Sequence, residues 1–253
     1  MSVKQTHPGS IARIVTAGDG FSANHIWPMW PHILQMTTVD TDVVSLGRIG
    51  AGNEYIFNSV LAAIDQPTDL VIVQWAMSNR LDLIVDTPAK MAVVDRDPVY
   101  NENIYDNWWL SSASTQDYVR RYHTEYIGTI QSRLRTKNYI ISLAAILKSR
   151  KIPFLFTTTY TSEHYPNRDI DWTDWVWHEP GQGMQEYSLL PEFKDTRLTQ
   201  VQPGPLVHLT WLQQVLKPRV DLTWEYTHIE KLSQLFAVGD WHGLLPHYLA
   251  RSI

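Results

Sequence analysis

A short apolar run, RIVTA at residues 13–17, empties into Gly18, Asp19 and Gly20, with Phe21 and Ser22 directly after. A strand that ends in so tight a turn is a common mount for a nucleophile. Near the other end of the chain Asp240 and His242 stand two residues apart. Acyl transfer needs a nucleophile, a base to take its proton, and donors aimed at the developing oxyanion. The place where a serine would attack holds Gly20, which has no side chain to attack with. Loss of the serine from a comparable triad costs about 10⁶ in turnover. Three readings remain open. Ser22 attacks instead, although in the first turn of a following helix it would point about 200° around the axis from Gly20. A water activated by His242 attacks directly. Or the site is inert, and Gly20 serves only a tight turn or a positive φ.

Two further turns belong with the first. GAGN at 50–53 follows an apolar run at 42–46 and offers Gly50 and Asn53; VIVQWAMSNR at 71–80 ends a third run and offers Asn79. In this order the segments resemble the SGNH (GDSL-type) hydrolase superfamily, over nearly the whole span from Gly18 to His247. They are most similar to SGNH-like proteins of tailed phages, many of them marine. Those carry a G-[DC]-S-F-[ST] turn followed by a Trp-Pro pair, compare GDGFS and WPHIL at 30–34, and a G-x-[SG]-N turn, compare GAGN. Their third strand ends in a Trp with an Arg a few residues on, compare Trp75 and Arg80. The resemblance implies a serine at position 20, oxyanion donors from Gly50 and from an asparagine near position 77, and Asp240 and His242 as acid and base. The chain departs at Gly20, at Met77, with Asn79 two residues late, and at Gly243 in place of the usual proline.

The elements that must position these residues are legible as periodicity. Runs at 13–17, 42–46, 69–76 and 153–160 read as buried strands of a parallel sheet covered on both faces. Helical patterns at 53–64 and 115–150, the second interrupted near Gly128, alternate with them. The expectation is one α/β domain over 1–253: a parallel sheet flanked by helices in an SGNH-hydrolase-like (flavodoxin-like) three-layer sandwich. Insertions at about 86–114 and 161–206 interrupt the alternation after strand ends, where α/β folds place ligand sites. They carry Trp108, Trp109, Trp172, Trp175 and Trp177, candidates for a protein interface or for stacking on a sugar.

Composition bounds the rest. In 253 residues, 44% hydrophobic, there is enough apolar material for a core without a metal or disulfide staple. A net charge of −5 argues against a general nucleic-acid face. No cysteine is present, which removes thiolate catalysis and cysteine-based zinc sites. The first ten residues, polar and with Pro8, do not read as a signal peptide, and no apolar stretch approaches the ~20 residues of a membrane span. GAGN lacks the spacing of a phosphate loop, DIDWTDW at 169–175 lacks the glycine and distal glutamate of a calcium loop, and His242 and His247 are not spaced as a helical zinc pair. No cofactor and no metal are expected. The leading expectation is a catalytically degenerate protein of a tailed-phage virion, made in the host cytoplasm and assembled with other virion subunits, with a host surface glycan as a further binding partner. The alternative is an esterase or glycan O-deacetylase with a non-standard nucleophile, and between them stands a protein that kept only the pocket.

Overall fold

A computed structural model describes residues 11–23, 27–84, 105–108, 129–159 and 203–239, together with Gly183, Met184, Leu189 and Phe193. Strand β1 (Arg13–Ala17) leads through the GDGFS turn to helix α1 (Trp30–Thr37). Strand β2 (Asp42–Ser45), helix α2 (Asn53–Ala63) and strand β3 (Leu70–Trp75) follow. Next come β4 (Leu81–Ile84), β5 (Tyr105–Trp108), helix α3 (Thr129–Ser149) and strand β6 (Phe154–Thr158). Helix α4 (Pro205–Trp211) runs on through a π turn (Leu212–Leu216) and a 3₁₀ turn (Lys217–Arg219), and α5 (Tyr226–Ala237) closes the described chain. Strands β2, β1, β3 and β6 lie side by side in that order, and every pair is parallel.

Alternation along the two central strands explains the layers, because successive side chains leave a strand on opposite faces. Ile14, Leu70 and Ile72 face one core with Trp30, Ile33 and Leu34 of α1, Leu209 and Trp211 of α4, and Ile229, Leu232 and Phe236 of α5. Val15, Ala17, Val71, Val73 and Trp75 face the other, with Tyr55, Ile56 and Val60 of α2 and Ile140, Leu143 and Leu147 of α3. The architecture is therefore the expected α/β three-layer sandwich, with four parallel strands among the described residues. Pro31 sits in the first turn of α1, where its missing N–H is no loss, and Gly239 ends α5 at φ 73.

Two local expectations change. No helix starts at Gly20: residues 20–22 form a turn and α1 begins only at Trp30, so Ser22 is a turn residue. Within the insertion expected at about 86–114, residues 105–108 are strand. They form β5, antiparallel to β4, with Asp82 opposite Asn107 and Leu81 opposite Trp108. Of the helical pattern at 115–150, residues 129–149 are helix and 115–128 lie outside the described residues. Among the described residues no helix is long and apolar enough to cross a membrane.

Candidate functional site

Parallel strands deliver their following turns to one edge of the sheet. The turns after β1, β2, β3 and β6 therefore meet there, although they lie far apart in the chain. Asp19, fully buried, is the hub. Its Oδ2 accepts from Arg80 Nη1 at 2.7 Å, after β3, and from Thr159 Oγ1 at 3.2 Å, after β6. Its Oδ1 accepts the Phe21 N–H at 3.0 Å, and its carbonyl accepts the Ser22 N–H at 2.9 Å. One carboxylate thus closes the GDGFS turn and ties it to two other strand ends. The pairing with Arg80 makes burial of both charges tolerable.

Gly20 is buried in the middle of this turn. Ser22, the nearest hydroxyl, is fully buried and committed. Its Oγ donates to Gln74 Oε1 at 2.6 Å and accepts from Trp30 Nε1 at 3.0 Å; the same indole N–H also reaches Gln74 Oε1 at 3.2 Å. Two glycines make room for it. A Cβ on Gly18 would overlap Ser22 Oγ, and one on Gly47 would overlap the Ser22 carbonyl. Ser22 is held as a structural member of the turn, and no base contacts its hydroxyl among the hydrogen bonds described.

The GAGN turn shows a similar commitment. Gly50 adopts φ 77, a left-handed conformation that a glycine takes without strain. Asn53, at the first turn of α2, accepts the Ala76 N–H at 2.8 Å and donates to the Ala76 carbonyl at 3.0 Å and to Thr136 Oγ1 of α3 at 3.1 Å. Its amide stitches the end of β3 to two helices. Gly52 precedes α2 and has no side chain to cap it; Asp82 of β4 does so from outside, accepting the Gly52 and Tyr55 N–H groups at 2.7 Å each. Burial pushes the Asp82 carboxyl above its usual range, partly offset by these two bonds. Asn79 lies in the turn after β3, and its Oδ1 is buried with no hydrogen-bond partner.

The structure thus brings Gly20, Ser22, Gly50, Asn53 and Asn79 to the carboxyl edge of one sheet. Asp240, His242, Trp109, Trp172, Trp175 and Trp177 lie outside the described residues, and Trp108 is placed only as a residue of β5. Sequence reasoning passed over Gln74, Asp82 and Thr159. Gln74 had a signal, a lone polar residue in the apolar run LVIVQW of a strand buried on both faces. Asp82 and Thr159 had none, since their partners are 30 and 140 residues away.

No family model matches the chain, and no curated protein does. Among solved structures, a protein from Desulfitobacterium hafniense DCB-2 assigned to the lipolytic G-D-S-L family aligns at 12% identity with a TM-score of 0.33. The alignment covers 60% of this chain and spans 63% of the length of that one.

Proposed function

We propose that the chain is an SGNH-type fold working without serine chemistry, as a non-catalytic binding or structural component of a tailed-phage particle. The observation that carries the first half is the state of the GDGFS turn: Gly20 offers no attacking atom, and the Ser22 hydroxyl is locked between Gln74 and Trp30. To attack, Ser22 would break two buried hydrogen bonds, leaving Gln74 Oε1 and the Trp30 N–H with only the longer bond to each other at 3.2 Å. The phage setting is supported by the sequence motifs GDGFS, WPHIL and GAGN and by the Trp75 and Arg80 pair. In this reading Asp240 and His242 are remnants of the acid and base. The tryptophans at 108, 109, 172, 175 and 177 dock on neighbouring virion subunits, burying on the order of 1,000 Å² or more.

Two measurements test it. Purified protein incubated with short acyl esters should give no hydrolysis above background. A rate that disappears in His242→Ala would make the chain an esterase or O-deacetylase instead. Co-sedimentation with phage particles is expected; a protein that stays monomeric and free of particles overturns the assembly role.

A further inference from the structure

Arg80 and Asp82 are two residues apart, so in an extended segment they project to the same side. Both reach the same peptide group. The Ala51 carbonyl accepts from Arg80 Nη1 at 3.4 Å, and the N–H of that same peptide, on Gly52, donates to Asp82 Oδ1 at 2.7 Å. The cation grips the negative end of one peptide dipole and the anion its positive end. A side chain at position 52 would push the carboxylate off the peptide, since a Cβ on Gly52 would stand 2.7 Å from Asp82 Oδ2. The same Arg80 nitrogen also holds Asp19 at 2.7 Å, and the other Asp82 oxygen holds the Tyr55 N–H. Both side chains are at least nine-tenths buried.

We infer that Arg80 and Asp82 are paired positioning residues, a two-ended clamp that makes the GDGFS turn and the GAGN turn one unit moving with the β4–β5 hairpin. The chain of contacts is continuous. Asp82 belongs to β4 and holds the start of α2; Arg80 joins the GAGN turn to Asp19; Asp19 closes the turn that contains Gly20. A displacement of the hairpin is transmitted to Gly20 through these side chains, and this linkage holds whether or not the turn is catalytic.

Amide hydrogen exchange on the full chain at constant pH tests this. The reporters are the Gly52 and Tyr55 amides at one end and the Phe21 and Ser22 amides at the other; Val15 and Val73 in the central strands report the fold as a whole. In Asp82→Ala, exchange should rise about tenfold or more at Gly52 and Tyr55, the size expected for losing a hydrogen bond to a charged group, and should also rise at Phe21 and Ser22 relative to the strands. If the two turns form one unit, Asp19→Asn should in turn speed exchange at Gly52 and Tyr55 relative to the strands. Asp82→Asn, which keeps one acceptor, should give the same pattern with a smaller amplitude and serves if the alanine variant does not fold. Acceleration confined to Gly52 and Tyr55 would reduce Asp82 to a helix cap. Equal acceleration at all sites, strands included, would show general destabilisation with no special link. Either result overturns the clamp. Ester-hydrolysis assays do not enter this test, so failure of the clamp and failure of the non-catalytic reading are separate outcomes.

Discussion

His208 makes the fold sensitive to mild acid in a way that can be calculated. It lies on α4, fully buried beside Trp211, which packs on Trp30 at 5.5 Å between ring centroids. Neither ring nitrogen of His208 reaches hydrogen-bond geometry, although the nearby Pro203 carbonyl favours the charged ring slightly. Burial first, and the neighbouring His32 second, lower its pKa from 6.5 to about 3. Unfolded, the same ring takes a proton at about pH 6.5. A folded pKa below the unfolded one means the unfolded chain binds the extra proton. Stability is therefore complete above pH 6.5 and is lost as pH falls from 6.5 towards 3. At ~1.36 kcal/mol per pH unit, going from pH 7 to 4.5 removes on the order of 3 kcal/mol through this one ring, a sizeable part of a typical total of ~5–15 kcal/mol. The perturbation is His208→Leu, apolar and of similar size. Urea denaturation of wild type and variant at pH 7 and pH 4.5 gives four unfolding free energies. The wild type should lose on the order of 3 kcal/mol more than the variant on acidification, since losses at groups not coupled to His208 cancel in the difference. Equal losses in the two proteins would refute the placement of His208 as a buried, neutral histidine.

Other outcomes follow from the site. Arg80→Met should cost ~3–5 kcal/mol in urea denaturation by leaving Asp19 buried without its cation, and adding Asp19→Asn should recover part of that loss. Gly47→Ala should yield little folded protein, read by circular dichroism and expression, because its Cβ would meet the Ser22 backbone; Gly50→Ala, strained by φ 77, should cost about 1–2 kcal/mol or more in the same denaturation assay. Ser22→Ala should destabilise the protein by about 1–3 kcal/mol through Gln74 and Trp30, with no change in ester hydrolysis. Gly20→Ser supplies the missing hydroxyl, and any turnover it gains must vanish when His242→Ala is added.

Periodicity and turn chemistry were enough to place the sheet. Alternation in RIVTA and LVIVQW, the glycines that end the first and second strands, and the helical spacing at 53–64 are local properties, set by which side chains one strand or helix face can bury. The strand positions, the parallel α/β class and the layers followed from them. That the turn after the first strand has no side chain at Gly20 was equally plain, because such an absence needs no partner to be recognised. What each polar residue does was decided only by the tertiary structure. Ser22 looked like a spare nucleophile until Gln74, 52 residues away, was found to take its hydroxyl. Asn53 is a stitch between β3, α2 and α3. Arg80 stood out only by resemblance, and its carboxylate lies 61 residues upstream. A hydrogen bond has two ends, and the sequence shows each donor without its acceptor. The crossovers of the parallel sheet bring the two together, and with them the difference between a reactive hydroxyl and a buried strut.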